Sequence, residues 1–426
     1  MQDSQLLAAK ILEKVLTGSN LDKSFDSVFN YHKSNNEEIQ EPQIKALTYG
    51  AVRFLGHSSF LINQLVKNKI NNKILEALIH IAFYQLSQDK SNDFTIVDQA
   101  VNAAKKIDYR KSKFVNAILR NYLRNKDRLQ NELILDQTAR YSYQGWWINK
   151  VKNEFKNNWE EILNIGNQHP PLTLRVNKRK ISVEQYSKIL KKNELDFKLV
   201  SNDALIIIKP VNINELPGFQ EGFISVQDFG AQLAPALLDL KSGQKVLDAC
   251  AAPGGKTCHI LEGSDVDVTA LEIDGIRKEK ITDNLNRLEL SANVIHGGLS
   301  ENNDWWNGEL FDRILLDVPC SASGIVRRHV DIKWLRQEND LKKFSEIQYS
   351  LLMSAWNMLK VNGKLLYVTC SIFRDENMSV IDKFKNESKD AVEIDITFPE
   401  SVNHINNQLL PSKNHDGLFY VLLEKK

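Results

Sequence analysis

The chain has 426 residues, enough for about two or three domains. Hydrophobic residues make up 42% and charged residues 26%, a balance typical of globular proteins that argues against long disordered or fibrous segments. The net charge of +1 argues against a chain that binds nucleic acid over its whole surface, but it leaves room for a local basic face.

No run of about 20 apolar residues occurs, so we predict no membrane-spanning helix. The N-terminus interrupts its apolar pattern with acidic residues and has no small-residue cleavage site, which argues against a signal peptide. The cysteines are Cys250, Cys258, Cys320 and Cys370, and they show neither a CxxC pair nor zinc-ligand spacing. We therefore expect a cytoplasmic protein with reduced thiols and no metal.

Residues 1–135 are predicted to form an all-α domain, because apolar residues recur there at helical spacing. Within it, the stretch 101–130 holds nine lysines and arginines but only two acids, a local charge of +7. Such a stretch fits a solvated helix face and a phosphate-binding surface about equally well. Arg110, Lys113 and Arg120 are our candidate phosphate contacts.

Residues 136–225 are predicted to form connector helices and a small basic α+β subdomain. An aromatic cluster near 141–159 is expected to pack rather than to stack on bases. The stretch 173–200 carries eight basic residues and three acids, and strand-like segments at 172–176 and 204–208 flank a helix near 183–192.

Residues 226–426 show alternating strand and helix patterns, which are typical of a mostly parallel, doubly wound Rossmann-like α/β sheet. Two late strands, at 391–396 and 418–423, are predicted to form an antiparallel edge. The other predicted strands are 245–248, 267–272, 293–296, 312–317 and 364–369, with helices at 275–289 and 339–359 between them.

A small-residue turn with two glycines follows the first strand of this sheet. It comprises Cys250, Ala251, Ala252, Pro253, Gly254, Gly255 and Lys256. Glycines let the backbone approach a ligand closely, although such a turn alone is weak evidence for a ligand-binding site. Glu272, at the end of the next strand, strengthens the prediction of a ligand-binding site, because an acid there can hold both ribose hydroxyls. The combination predicts an adenosine-containing ligand.

Two cysteines follow strand ends in the same sheet. Cys320 comes after Asp317-Val318-Pro319, and Cys370 comes after Tyr367-Val368-Thr369. Ligand sites in open α/β sheets lie at the carboxyl ends of strands. A single such cysteine is more often inert packing, as we expect for Cys258, but two at equivalent positions favour nucleophile chemistry.

A basic loop follows Cys320 directly. It offers Arg327, Arg328 and Lys333 beside the predicted site, where they could grip a phosphate backbone. The alternative is a surface loop whose charges pair with Asp331.

Four motifs, DACAAPGGKT, LLDVPCSASG, RRHVDIKW and VTCS, occur in this order. Together they resemble the RNA 5-methylcytosine methyltransferases of the NOL1/NOP2/Sun family over residues 173–426. The helical front, with its segment FVNAILR at 114–120, resembles the RNA-binding NusB fold. A NusB-like front on this catalytic domain is similar to bacterial members that methylate one cytosine of 16S ribosomal RNA with S-adenosylmethionine.

The resemblance implies roles for the candidate residues. Cys250 to Lys256 would line the S-adenosylmethionine pocket, and Glu272, where an Asp is more usual, would hold the ribose. Asp317 would lie between cofactor and base and bond the cytosine edge. Cys370 would be the nucleophile, and Cys320 would assist breakdown of the covalent adduct. A monomer that acts on RNA, with neither DNA nor membrane as partner, is expected.

The sequence departs from the family pattern at two positions. Gly298 stands where an acid that contacts adenine is usual, so that cofactor affinity is reduced or Glu301 compensates. Val330 replaces a proline in the basic loop, which is expected to loosen that turn.

Four other functions remain open, and the first is an RNA cytosine-5 methyltransferase with a different RNA target. A DNA cytosine-5 methyltransferase would use Cys320 as its nucleophile, but the second cysteine motif and the NusB-like front argue against it. A non-catalytic RNA-binding factor with a decayed methyltransferase domain has Gly298 in its favour and the retained cysteines against it. A small-molecule methyltransferase is disfavoured by the two basic segments.

Overall fold

The computed structural model describes residues 2–34, 40–88, 92–209, 211–299 and 304–426. The chain divides into two compact units. The first comprises Met1–Gln168 and Val326–Glu338, and the second comprises His169–Ile325 and Asn339–Lys426. No helix among the described residues is long and apolar enough to cross a membrane.

The first unit is all-α, as predicted, because its apolar residues form stripes that close on one core. The central helix, α5, packs against α1, α3 and α6. It begins at the N-cap Asn72, whose side chain accepts a hydrogen bond from the backbone N–H of Leu75. The helices are α1 (Gln2–Leu16), α2 (Leu21–Ser34), α3 (Glu41–Arg53), α4 (Leu55–Leu65), α5 (Lys73–Ser87), α6 (Asp93–Ile107), α7 (Ser112–Arg124), α8 (Lys126–Leu135), α9 (Gln137–Tyr141), α10 (Gly145–Glu154) and α11 (Trp159–Gly166).

The segment Val326–Glu338 belongs to this helical unit, although it lies far along the chain. Val330 is fully buried in the helical core. The Asp331 carboxylate accepts hydrogen bonds from the Asn20 side chain at 3.1 Å and from the Leu21 N–H at 2.9 Å. The turn that was expected to be loose is therefore held by core packing and by the start of α2.

The second unit begins with a small antiparallel sheet, as predicted for the α+β subdomain. Its strand order is β2-β3-β1-β4. The helix begins with a capping box between Ser182 and Gln185. The elements are β1 (Leu172–Val176), α12 (Val183–Lys192), β2 (Phe197–Leu199), β3 (Ala204–Ile207) and β4 (Ile224–Val226).

The large sheet has the order β11-β12-β13-β9-β8-β5-β6-β7, with β10 paired to β13. Strands β5 to β9 are parallel, and β13 runs antiparallel to β9, so the predicted α/β fold is confirmed. The strands are β5 (Lys245–Asp248), β6 (Asp267–Glu272), β7 (Asn293–His296), β8 (Phe311–Asp317), β9 (Leu359–Thr369), β10 (Ala391–Ile394), β11 (His404–Ile405), β12 (Gln408–Leu409) and β13 (Phe419–Lys425).

Helices cover both faces of this sheet, which explains its continuous apolar strands. On β8, Leu315 belongs to one buried cluster, whereas Ile314 and Leu316 belong to another. The helices are α13 (Gly255–Gly263), α14 (Gly275–Leu288), α15 (Glu338–Asn357) and α16 (Met378–Glu387). The parallel registers bring the carboxyl ends of β5, β8 and β9 to one edge of the sheet.

Candidate active site

The glycine turn joins β5 to the N-terminus of α13. Gly254 has a φ of 95°, in the left-handed region that favours glycine. A Cβ at Gly254 would also lie only 3.1 Å from the Cα of Ile281, so a side chain there would be both strained and crowded. A Cβ at Gly255 would have no neighbouring atom closer than 3.7 Å, so the first residue of the helix has open space beside it. The turn thus offers a helix N-terminus that a ligand can approach.

Glu272 lies beside this turn and is only 3% exposed. Its carboxylate accepts hydrogen bonds from the Ala252 N–H at 3.2 Å and from the Asp274 N–H at 3.0 Å. Arg277 donates to the Ala252 carbonyl at 2.9 Å and fixes the turn from the other side. Because a carboxylate has about four acceptor positions, Glu272 retains capacity for ribose hydroxyls. The donor set therefore fits an adenosine-containing cofactor.

Lys256 and Asp317 form an ion pair of 2.6 Å between the glycine turn and the end of β8. Burial lowers the pKa of Lys256, but the charge and hydrogen bond of Asp317, together with the charge of Asp248, outweigh it, and the pKa is raised overall. Behind this pair, the buried Asp248 accepts a hydrogen bond of 2.6 Å from the Thr257 hydroxyl. Burial raises the pKa of Asp248 to about 6. Lys256 therefore stays charged beside Asp317.

The Sγ atoms of Cys320 and Cys370 lie 3.2 Å apart. Cys320 is buried, whereas Cys370 is partly exposed. The hydrogen bond with Cys370, together with burial, raises the pKa of Cys320. Cys320 thus keeps its proton, and the more exposed Cys370 is the sulfur that a ligand can reach. The structure brings the two predicted cysteines together.

The other two cysteines have different environments. Cys258 is buried in the core of the second unit, and burial raises its pKa to about 12, as suits a packing residue. Cys250 lies in the glycine turn, and burial raises its pKa as well. Neither thiol is suited to act as a nucleophile at neutral pH.

The end of β7 differs from what the family pattern implies. Trp305 donates its indole N–H to the Gly298 carbonyl at 3.0 Å. A Cβ at Gly297 would lie 2.8 Å from the Trp305 ring, so this backbone is closely covered. Glu301 lies outside the described residues, so the compensation expected of it stays a prediction.

The predicted RNA contacts fall into two groups. Arg110, Lys113 and Arg120 are exposed on the helical unit. Arg327 and Lys333, by contrast, are 2% and 0% exposed, while Arg328 is half-buried.

Burial corrects the expectation for Lys333. Its ammonium donates to the Arg53 carbonyl at 2.7 Å and to the Asn167 side chain at 2.5 Å, and it lies 4.3 Å from the centre of the Tyr143 ring. These partners hold the ammonium inside the helical unit, where it does not reach a phosphate. The sequence RRHVDIKW does not reveal this burial, because lysine and arginine side chains are usually exposed and are therefore predicted to be exposed here.

Sequence reasoning also missed Glu376, which is fully buried among hydroxyl and amide donors beside the two cysteine loops. Glu376 follows Asp375 in the short 3-10 helix Arg374–Glu376, which offers no periodicity by which a buried acid could be told from its more exposed neighbours. The Lys256–Asp317 pair was likewise hidden, because its members belong to separate motifs.

A parallel sheet with an antiparallel last strand, a glycine turn after β5 and an acid at the end of β6 fits an enzyme that binds an adenosine-containing cofactor. The family matches identify this enzyme as an S-adenosylmethionine-dependent methyltransferase. Three family descriptions match the chain: NusB over residues 2–124, the ferredoxin-like domain of RsmF/B-type methyltransferases over 143–214, and 16S rRNA methyltransferase RsmB/F over 235–424.

Individual relatives agree with these matches. The protein of Shewanella oneidensis called ribosomal RNA small subunit methyltransferase B is 38% identical, over 89% of each chain. That of Pasteurella multocida is 35% identical over 99% of this chain and 96% of its own. A solved methyltransferase homologue from Pyrococcus horikoshii is 26% identical, with a TM-score of 0.60 over 69% of this chain and 99% of its own. The chain belongs to the family of ribosomal RNA small subunit methyltransferase B proteins, and its cofactor is S-adenosylmethionine.

Proposed function

We propose that the protein methylates carbon 5 of one cytosine in 16S ribosomal RNA, through a covalent bond between Cys370 and carbon 6 of the base. The observation that carries this proposal is the pair of sulfur atoms 3.2 Å apart, at the strand edge that also holds Asp317. We further propose that the enzyme is a cytoplasmic monomer that acts on RNA rather than on DNA.

Carbon 5 of cytosine is a poor nucleophile until a thiolate adds at carbon 6. Cys370 supplies this thiolate, because it is the more exposed of the two thiols. Asp317 orients the base by hydrogen bonding its polar edge, and the Lys256 ammonium at 2.6 Å keeps this carboxylate in position. After carbon 5 has been methylated, its proton leaves and the electron pair expels Cys370 as a thiolate. Cys320, whose sulfur lies 3.2 Å from that of Cys370, assists this step and accepts the proton once its own thiol proton has passed to solvent. The base must leave its stack to reach these groups.

Bound S-adenosylmethionine supplies the methyl group. The glycine turn from Cys250 to Lys256 would hold its methionine part, and Glu272 would accept hydrogen bonds from the ribose hydroxyls. The space beside Gly255 and the spare acceptor capacity of Glu272 support this assignment.

RNA phosphates would bind the exposed basic residues of the helical unit, Arg110, Lys113 and Arg120. Arg328 remains a candidate, since it is half-buried rather than enclosed. Arg327 and Lys333 are not candidates for direct phosphate contact, because both are buried.

Transfer of labelled methyl groups from S-adenosylmethionine to unmethylated 16S rRNA tests the proposal, with transfer RNA and cytosine-containing DNA as controls. We expect 5-methylcytosine at one site of the 16S rRNA and no label in either control. Cofactor binding without label in any RNA would overturn the proposed reaction. Label in DNA alone would instead favour a DNA cytosine-5 methyltransferase.

Cysteine variants test the covalent step. We expect Cys370→Ala to lose methyl transfer and Cys320→Ala to accumulate a denaturation-resistant protein–RNA adduct. Cys258→Ala is the matched control and should behave like the wild type, because Cys258 packs in the core. An active Cys370→Ala variant, with no adduct in Cys320→Ala, would refute the assignment.

A further inference from the structure

Glu376 is a fully buried acid in the segment between β9 and α16. Burial raises its pKa. Burying a carboxylate is costly unless its acceptor positions are filled, and the Glu376 carboxylate is filled by donors from several segments.

The Glu376 carboxylate bridges the loops that carry the two cysteines. It accepts hydrogen bonds from the Ser321 N–H at 2.7 Å and from the Ser321 hydroxyl. On the other side it accepts a bond of 2.6 Å from the Ser371 hydroxyl. Ser321 directly follows Cys320, and Ser371 directly follows Cys370. One side chain thus holds the backbone next to both sulfur atoms.

Gln348 on α15 completes this bridge. Its amide donates to Glu376 at 3.2 Å and to the Pro319 carbonyl, just before Cys320, at 3.0 Å. The two loops also bond directly, through the Gly324 N–H and the Cys370 carbonyl at 2.8 Å. The two Sγ atoms, 3.2 Å apart, therefore lie within a bonded network whose central acceptor is Glu376.

We propose that Glu376 is a positioning residue that sets the distance between the Cys320 and Cys370 sulfur atoms. It touches no reacting atom in this arrangement and acts through Ser321 and Ser371. The inference deepens the proposed function, on which its catalytic consequence rests: a shifted Cys370 attacks carbon 6 poorly, and a shifted Cys320 releases the adduct slowly. Displacements of about 1 Å can lower a rate about 100-fold.

Disulfide formation measures the sulfur geometry without any methyl transfer. Treatment with diamide removes two electrons and two protons from the thiols, joins the sulfurs, and reduces diamide to the hydrazine. We expect Glu376→Gln to slow formation of the Cys320–Cys370 disulfide by about tenfold or more, read by peptide mass spectrometry. The amide keeps the shape of the side chain but replaces one acceptor oxygen with a donor.

The matched control is Glu262→Gln, which alters another buried carboxylate of the same unit, bonded to Arg175 rather than to the cysteine loops. It should crosslink like the wild type. Ser371→Ala provides a second variant that removes one arm of the bridge and keeps the test valid if Glu376→Gln fails to fold. A folded Glu376→Gln variant that crosslinks within about twofold of the wild type would overturn the proposal.

Methyl-transfer kinetics then separate the two proposals. We expect Glu376→Gln to lower kcat about 10- to 100-fold and to leave the KM for S-adenosylmethionine near that of the wild type. A wild type that crosslinks rapidly but methylates no RNA would contradict the proposed function and leave the positioning role intact. Slow crosslinking with an unchanged kcat would refute the catalytic consequence.

Discussion

Replacement of Arg175 by methionine is expected to destabilise the second unit by about 3–5 kcal/mol. Arg175 on β1 and Glu262 on α13 are 1% and 3% exposed, and two hydrogen bonds of 2.7 and 2.8 Å join them. Arg175→Met leaves the Glu262 carboxylate buried without its cation. Arg175 also donates to the Gly255 carbonyl at 2.9 Å and to the Gln227 side chain, so it ties the small sheet to the cofactor turn.

The double variant Arg175→Met/Glu262→Leu separates the cost of the unpaired Glu262 charge from the cost of the other hydrogen bonds that Arg175 makes. Apolar replacement of a buried ion pair is often neutral. The acceptors Gly255 and Gln227 still lose their donor, at about 1 kcal/mol each. We therefore expect the double variant to lie about 2 kcal/mol below the wild type and to regain about 2 kcal/mol relative to Arg175→Met.

Urea unfolding, followed by circular dichroism and tryptophan fluorescence, measures these differences. With a slope of about 3 kcal/mol per molar urea for a unit of this size, Arg175→Met should lower the midpoint of its transition by about 1–1.7 M. A loss below about 1 kcal/mol in the single variant would refute the reasoning. A double variant no more stable than Arg175→Met would also contradict it.

Two further predictions concern pH and RNA binding. Asp248 has a pKa of about 6 when folded against 3.8 ordinarily, so the folded chain binds more protons between these values. Its contribution to the free energy of unfolding should fall by about 3 kcal/mol as pH rises through this window. Urea midpoints at pH 4 and at neutral pH should show a smaller fall for Asp248→Asn, and an equal fall in both proteins would contradict the assignment. Removal of the exposed Lys113 or Arg120 should reduce the salt dependence of RNA affinity by about one unit of slope, whereas Lys23→Ala, an exposed lysine outside the basic stretch, should leave it unchanged. Unchanged slopes for all three variants, measured by filter binding, would exclude this stretch from the RNA interface.

Local patterns predicted most of the fold. The strand at 245–248 and the helix at 183–192 match the structure residue for residue, because their side-chain periodicities are strong and short turns bound them. The long strand β9 begins at Leu359, before the predicted 364, since its early residues are partly exposed and break the alternation. Motif order predicted the glycine turn, Asp317 and both cysteines, because each follows a strand end in a parallel sheet.

The sequence by itself determined the fold class, the glycine turn after β5 and the placement of Cys320 and Cys370 just past strand ends, since these depend on contacts between near neighbours and on the direction of parallel strands. Only the tertiary structure decided that Val326–Glu338 packs in the helical unit, that Lys333 is enclosed there, and that Glu376 joins the loops of Cys320 and Cys370. Each of these features depends on partners distant along the chain. Burial of a charged side chain is set by those partners, and neither its own charge nor its spacing reveals them.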